Sequence, residues 1–101
     1  MNTLRRTEQF LDWYFHLRDA VTKARIAARL KQAAMGNFGD HKGVGEGVCE
    51  MRIHVGPGIR VYYAQAGDTV YVLLIGGDKS SQDADIRKAQ KLWKELQENE
   101  A

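Results

Sequence analysis

The sequence has little cysteine and proline and no long apolar run. Its single cysteine, Cys49, cannot form an intramolecular disulfide or a cysteine-based zinc site. The longest apolar segment, VYVLLIGG, is too short to cross a bilayer. The opening MNTLRRTEQF has charge without the apolar run of a signal peptide. We therefore expect a cytoplasmic protein with no membrane contact, no cofactor and no metal site.

Neither sign of charge dominates the composition. The 15 Lys and Arg residues against 13 Asp and Glu give a formal net charge of +2. Such a small excess does not by itself indicate a nucleic-acid partner, so the question is whether the cations cluster. The 101 residues, 44% of them hydrophobic, suffice for one hydrophobic core. We expect residues 1–101 to form a single domain.

Two N-terminal segments have the apolar spacing of amphipathic helices. Thr7 is in position to cap the first helix and Asp19 the second. Gly36 fits the C′ position that ends the second helix. Arg25 and Arg29 lie four residues apart on a face of that helix, where solvation is the commoner role.

A third helix is predicted in the C-terminal segment SSQDADIRKAQKLWKELQENEA. It has capping-box character at its start and an apolar seam spaced by three and four residues. That seam consists of Ile86, Ala89, Trp93 and Leu96. The opposite face carries Arg87 and Lys88, which could contact nucleic acid, although most such faces are simply solvated.

Strict alternation in GVCEMRIHVGPGIRVYY predicts two paired strands. Apolar residues alternate with Glu50, Arg52 and His54 in the first run and with Arg60 and Tyr62 in the second. A three-residue GPG loop would keep both apolar sets on one face. That register places His54 opposite Arg60 and Arg52 opposite Tyr62, with Glu50 diagonal to Tyr62. The result is a compact polar group on the outer face, although a polar face of this kind is often merely wet.

Two further lysines flank this hairpin in the sequence. VYVLLI is apolar on both faces, which predicts a central strand covered on one side by helices, and Lys79 follows its end. Residues at such strand ends are often part of binding sites. Lys42 lies in the glycine-rich connection GNFGDHKGVGEG, which has room for one short edge strand.

The order of elements, with GNFGD, GVCEMRIHVGPGIRVYY and GGDKSSQDADIRKA, resembles the HigB/RelE-like addiction-module killer family. The resemblance covers residues 13–89. It implies an α+β fold of RelE-like type, with two N-terminal helices packed on a curved antiparallel sheet of about four strands, plus a C-terminal helix. It also implies a type II toxin that cleaves mRNA on the ribosome and is inhibited by a cognate helix-turn-helix antitoxin.

The same resemblance assigns roles to individual residues. Arg60 matches the arginine of the family's Gly-Tyr-Arg motif and is expected to stabilise the phosphate. Arg52 matches a basic position on the preceding strand, and Lys79 one that follows the last central strand. Ile59 stands where the family usually has tyrosine. The expected RNA-binding surface comprises Lys42, Tyr62, Arg87 and Lys88.

Cleavage of RNA without a metal defines what these residues must do. The 2′-hydroxyl must be activated, the phosphorane stabilised and the leaving 5′-oxygen protonated. Arginine suits the second task because its guanidinium can bind two phosphate oxygens at once. Histidine is the side chain best suited to acid-base chemistry near neutral pH, so His54 is the expected acid-base residue, with Glu50 as the competing base.

Two other functions stay open on the sequence. Relatives of ParE type inhibit DNA gyrase by binding rather than by cutting RNA, and the fold does not separate these activities. An inactive toxin homologue that serves within an antitoxin complex is the third possibility, which Ile59 and the undecided base keep open.

Overall fold

A computed structural model describes residues 1–99 of the chain. In chain order the elements are β1 (Thr3–Arg6), α1 (Glu8–Phe15), α2 (Ala20–Ala34), β2 (His41–Gly45), β3 (Val48–Ile53), β4 (Ile59–Gln65), β5 (Val70–Asp78), a 3-10 turn (Lys79–Ser81) and α3 (Gln82–Asn99). The last two positions of the predicted C-terminal helix and of the predicted domain lie outside the described residues. Within residues 1–99, none of the helices combines the length and the apolar content needed to span a membrane.

The five strands form one mixed sheet in the order β1-β5-β4-β3-β2. Strands β2 to β5 pair antiparallel, whereas β1 is parallel to β5. The α+β class is confirmed, but the expected sheet of about four antiparallel strands is wrong in number and in this parallel pair. The sequence of β1, TLRR, offers a single apolar side chain, Leu4, so no alternation marked it as a strand.

Helices cover both faces of the sheet. Helices α1 and α2 pack on one face, in a core that includes Phe10, Ile26, Met51, Val61 and Leu73. Helix α3 packs on the other face, where Ala89 and Trp93 contact a second apolar cluster that contains Val48, Tyr62, Ala64 and Leu74. Strand β5 is interior, as predicted, but the expectation of helices on only one of its faces is wrong. The polar face of the β3-β4 hairpin therefore lies partly beneath α3.

The predicted ends of α1 and α2 are confirmed, whereas the capping box predicted at Ser80 is wrong. Ser80 lies in the 3-10 turn before α3, and its amide and hydroxyl donate to Asp78. The Thr7 hydroxyl accepts a hydrogen bond from the Phe10 amide at 3.0 Å and caps α1. The Asp19 carboxylate accepts one from the Val21 amide at 3.1 Å and caps α2. Gly36 follows the end of α2 with φ +102°, a left-handed conformation that favours glycine.

The register of the β3-β4 hairpin differs from the prediction. Arg52 lies opposite Arg60, and Glu50 lies directly opposite Tyr62. The connection uses residues 54–58 instead of the three residues of GPG, with φ +53° at Gly56 and +82° at Gly58. The pairing is offset by two residues from the predicted one, so the apolar residues keep their face although the cross-strand partners change. His54 is accordingly not opposite Arg60.

The glycine pair at the end of β5 allows close packing on both of its faces. A Cβ atom at Gly76 would lie 2.2 Å from the Trp13 ring of α1. A Cβ atom at Gly77 would lie 1.9 Å from a carboxylate oxygen of Asp85 in α3. Both helices thus contact the strand backbone directly, which fixes the first turn of α3 against the strand next to Arg60.

Candidate functional site

Two arginines form the centre of the candidate site. Arg52 on β3 and Arg60 on β4 are cross-strand partners on the face that α3 covers. The side chain of Arg52 is 31% exposed and that of Arg60 is 12% exposed. Arg60 also pairs with Gly77 on β5, so its long side chain lies beside a strand position that has none. The strand pairing thus brings two of the four predicted catalytic residues together.

A buried carboxylate lies between these arginines and α3. The Glu50 side chain is fully buried, and its Oε1 accepts a hydrogen bond from Nε of Arg52 at 2.9 Å. Its Oε2 accepts hydrogen bonds from Gln82 Nε2 at 2.8 Å and from the Tyr62 hydroxyl at 3.2 Å. The Nε atom of Arg60 lies 4.0 Å from the same oxygen. One carboxylate therefore connects β3, β4 and α3.

The hydrogen bonds to Glu50 decide its charge. Burial alone raises the pKa of a carboxyl, but the bonds that Glu50 accepts outweigh burial and hold its pKa below the ordinary value. Glu50 is therefore an ionised carboxylate with no exposed surface. It lacks the access to solvent and substrate that the predicted role of competing base requires.

Tyr62 belongs to this buried network and has no exposed surface. Burial, followed by the charge of Glu50, raises the pKa of Tyr62, so its hydroxyl stays protonated and donates to the carboxylate. The predicted RNA-binding role of Tyr62 is corrected accordingly, because α3 covers the ring that would have to stack on a base. The alternation of apolar and polar residues placed Tyr62 on this face of the sheet but did not indicate that α3 covers it.

Lys79 joins the arginines at the end of the sheet. It is exposed and begins the 3-10 turn directly after β5, as predicted. A Cβ atom at Gly58 would lie 3.0 Å from Nη1 of Arg60 and 3.5 Å from Cβ of Lys79, so both side chains border this glycine. Lys79, Gln82 and Arg87 line a shallow cleft of about 330 Å³. Arg87 therefore lies on the rim of the cationic group.

His54 lies outside strand β3 and is turned toward a different partner. Its Nε2 donates to a carboxylate oxygen of Asp40 at 2.8 Å. This hydrogen bond is the main cause that lowers the pKa of Asp40. The Asp40 carbonyl accepts from the backbone amide of Arg52, which brings the His54-Asp40 pair beside the arginines. His54 is thus near the site through Asp40, not through the predicted contact with Arg60.

The remaining predicted cations, Lys42 and Lys88, lie at the edges of the candidate site. Lys42 on β2 is the cross-strand partner of Glu50 and is exposed. Lys88 is exposed on α3 and lines a larger cleft of about 700 Å³, which also contains Asp78, Asp85 and Trp13. Lys88 therefore faces a surface of mixed charge and lines a different cleft from Arg87.

Arg29 has a structural role, although its position on α2 predicted a solvated side chain. Its Nη1 donates to the Arg52 carbonyl at 2.6 Å, and its Nη2 donates to the Phe38 carbonyl at 2.9 Å. Gly39 makes room for this guanidinium, because a Cβ there would lie 2.6 Å from Nη2. Gly39, the second glycine of GNFGD, is the sequence signal that could have indicated this contact. The contact fixes the backbone on which Arg52 stands.

The assembled group is suited to binding an anion. Arg52, Arg60 and Lys79 supply three positive charges at one end of the sheet, and guanidinium groups bind phosphate oxygens in pairs. The buried carboxylate of Glu50 neutralises part of that positive charge. Within residues 1–99, His, Cys, Asp and Glu side chains do not gather in a group of three that could ligate a metal. The arrangement can stabilise negative charge on a phosphate by hydrogen bonding and electrostatics.

Comparison with known proteins shows that the chain is similar to a bacterial protein over most of its length. No family model matches the chain. An uncharacterized protein of Haemophilus influenzae is 44% identical over 93 residues, which cover 92% of this chain and 94% of the relative. The similarity thus extends over most of both chains. The chain therefore belongs to the same family as this Haemophilus influenzae protein.

Proposed function

We propose that the protein is the toxin of a type II toxin-antitoxin module and acts as a ribosome-dependent, metal-independent mRNA endoribonuclease. The observation that carries this proposal is the grouping of three cations at one end of the sheet, where Arg52 pairs with Arg60 across the strands and the side chains of Arg60 and Lys79 border Gly58. The motif resemblance to the RelE-like family supports the choice of RNA as the phosphate-bearing substrate. A cytoplasmic helix-turn-helix antitoxin is the partner that this proposal requires.

The cations would act on the phosphate during cleavage. Arg60 and Lys79 lie next to each other and would stabilise the two negative charges of the phosphorane. The terminal nitrogens of Arg52 would orient the phosphate beside them. Removal of one such donor from a pre-organised site costs about 10²–10³ in rate.

Of the two candidate bases, the geometry favours His54 over Glu50. Glu50 is buried and saturated with donors, whereas the His54 side chain is 78% exposed. Because Nε2 donates to Asp40, Nδ1 is the ring nitrogen that is left to accept a proton. A base that is oriented by a carboxylate is a common arrangement for activating a hydroxyl, here the 2′-hydroxyl of RNA.

Induced expression followed by cleavage mapping on ribosome-bound mRNA tests the proposal. We expect the wild-type protein to stop growth and to shorten messages. The Arg60→Ala and Lys79→Ala variants should each slow cleavage by about 10²-fold or more. Arg25→Ala is the matched control, because Arg25 is exposed on α2, on the opposite face of the sheet. Full cleavage by Arg60→Ala would remove that residue from the mechanism.

A non-enzymatic toxin of ParE type is the second candidate. The observation that favours it is the neutralisation of the arginines by Glu50, which reduces the charge available to RNA. Inhibition of DNA gyrase would produce DNA breaks with intact messages in induced cells, whereas an endoribonuclease would produce the reverse. Expression at high level without any effect on growth would favour an inactive homologue that serves within an antitoxin complex.

A further inference from the structure

The contacts of Glu50 leave the two guanidinium groups with defined free edges. Arg52 donates from Nε to Oε1 of Glu50 at 2.9 Å. Arg60 faces Glu50 with Nε and donates from Nη1 to the Gly58 carbonyl at 3.0 Å. Among the described residues, the terminal nitrogens of Arg52 and Nη2 of Arg60 have no hydrogen-bond partner. The Nε atom of Arg60, 4.0 Å from Oε2 of Glu50, also has no hydrogen-bond partner among the described residues. Arg52 is thus held by a hydrogen bond to the carboxylate, whereas Arg60 is held by its bond to Gly58 and by charge attraction to Glu50.

The same carboxylate attaches the first turn of α3. Gln82 is the first residue of that helix, and its side chain donates to Glu50 at 2.8 Å. Gln82 also lines the cleft that contains Lys79 and Arg87. Besides the close contact at Gly77, the link between Gln82 and Glu50 therefore holds these two cations near the arginines.

We propose that Glu50 is the positioning residue of the cationic site: its buried carboxylate orients Arg52 and Arg60 for phosphate and ties α3, with its cations, to them. This inference rests on the proposed function, since it assigns the arginines to RNA phosphate. Glu50 itself does not contact the substrate, because it has no exposed surface. It acts through the guanidinium groups that it holds.

The direction in which Glu50→Gln changes the cleavage rate distinguishes a positioning role of Glu50 from a purely electrostatic role. If Glu50 only reduced the local positive charge, Glu50→Gln would strengthen phosphate stabilisation and accelerate cleavage. If Glu50 positions the arginines, the neutral amide presents a donor or a weaker acceptor to Arg52 and the guanidinium groups lose their fixed orientation. A positioning role therefore predicts that Glu50→Gln cleaves mRNA more slowly than the wild-type protein, although its site carries more positive charge.

The test is single-turnover cleavage of mRNA on programmed ribosomes at saturating protein. We expect Glu50→Gln to lower the cleavage rate about 10–100-fold, the range found when supporting residues of a site are lost. Asp68→Asn is the charge-matched control, because it removes an exposed carboxylate from the turn before β5. Val48→Ala is the packing control: it removes buried volume from the same strand face and leaves the hydrogen-bond donors of Glu50, which are Arg52, Tyr62 and Gln82, in place. Both controls should cleave at the wild-type rate.

NMR signals of the arginine Nε–H groups provide a readout that does not depend on RNA. In the wild-type protein we expect slow exchange of the Arg52 Nε proton with water, and rapid exchange in Glu50→Gln but not in Val48→Ala. An unchanged or faster cleavage rate in Glu50→Gln, or unchanged Nε–H exchange, overturns the positioning role. If the wild-type protein cleaves no mRNA while Glu50→Gln still releases the Arg52 proton, the proposed function fails and the structural action of Glu50 on the arginines stands.

Discussion

Replacement of Gly77 by alanine is expected to separate α3 from β5 and to destabilise the fold. The new Cβ atom would lie 1.9 Å from Oδ2 of Asp85, far short of the 3.4 Å at which ordinary contact begins. Asp85 is not free to turn away, since it is 8% exposed and its carboxylate accepts a hydrogen bond from Ser81. Overpacking of this kind costs about 1–3 kcal/mol. We expect that loss in the free energy of unfolding measured by urea titration.

Gly43→Ala is the matched control for this substitution. Gly43 is also a strand glycine, but a Cβ atom there would have no neighbour within 4 Å. Alanine at Gly43 should therefore be neutral or stabilise the protein by up to about 1 kcal/mol, through the lower entropy of the unfolded chain. Equal urea midpoints for Gly77→Ala and Gly43→Ala would refute the close contact between α3 and β5.

A second substitution identifies which contact is responsible. Asp85→Ala removes the carboxylate that Gly77→Ala would overlap, so the two changes should not be additive. We expect the double variant to be more stable than the sum of the single losses predicts. Strict additivity would mean that the strain in Gly77→Ala lies elsewhere.

Three further predictions concern the cap and the two carboxylates. Thr7→Ala should lower the free energy of unfolding by about 1 kcal/mol in thermal melts, because the α1 cap is lost, whereas Thr7→Ser, which keeps the hydroxyl, should not. His54→Ala should raise the pKa of Asp40 toward its ordinary value in an NMR titration, since the hydrogen bond from His54 is the main cause that lowers it; an unchanged pKa would contradict this pairing. The folded pKa of Glu50 is depressed, so its stabilising contribution is present above the ordinary carboxyl pKa of about 4.3 and is lost as the pH falls through the folded value. The stability difference between wild type and Glu50→Gln should therefore shrink in acid, and a constant difference across that range would contradict the assigned ionisation.

The ends of α1 and α2 were predictable because their signals are local. Thr7 and Asp19 act within three residues of their own position, and Gly36 needs only its own left-handed φ. Strand β1 carried no comparable signal. Its pairing with β5 joins Thr3 to Val70, and a partner so distant in sequence leaves no local pattern in TLRR.

The hairpin register shows what alternation can and cannot determine. Any offset by two residues keeps Met51 and Val61 on the same face, so alternation alone does not choose between a three-residue and a five-residue loop. The choice lies in the turn, where Gly56 and Gly58 both adopt positive φ. Arg52 was thus predicted on the correct face but opposite the wrong residue, and His54 was placed in a strand that ends at Ile53.

Glu50 is buried because the apolar seams of the three helices are distributed over both faces of the sheet. Helices α1 and α2 occupy the face that carries Met51 and Val61, so the seam of α3 must cover the opposite face. That face holds apolar side chains at Val48 and Ala64, which are cross-strand partners at one end of the polar row, and a third helix can pack there. A carboxylate enclosed in this way requires charged donors, because an unpaired buried carboxylate is costly. The same requirement that keeps Glu50 ionised therefore places two arginines together at the end of the sheet, where they can face a phosphate.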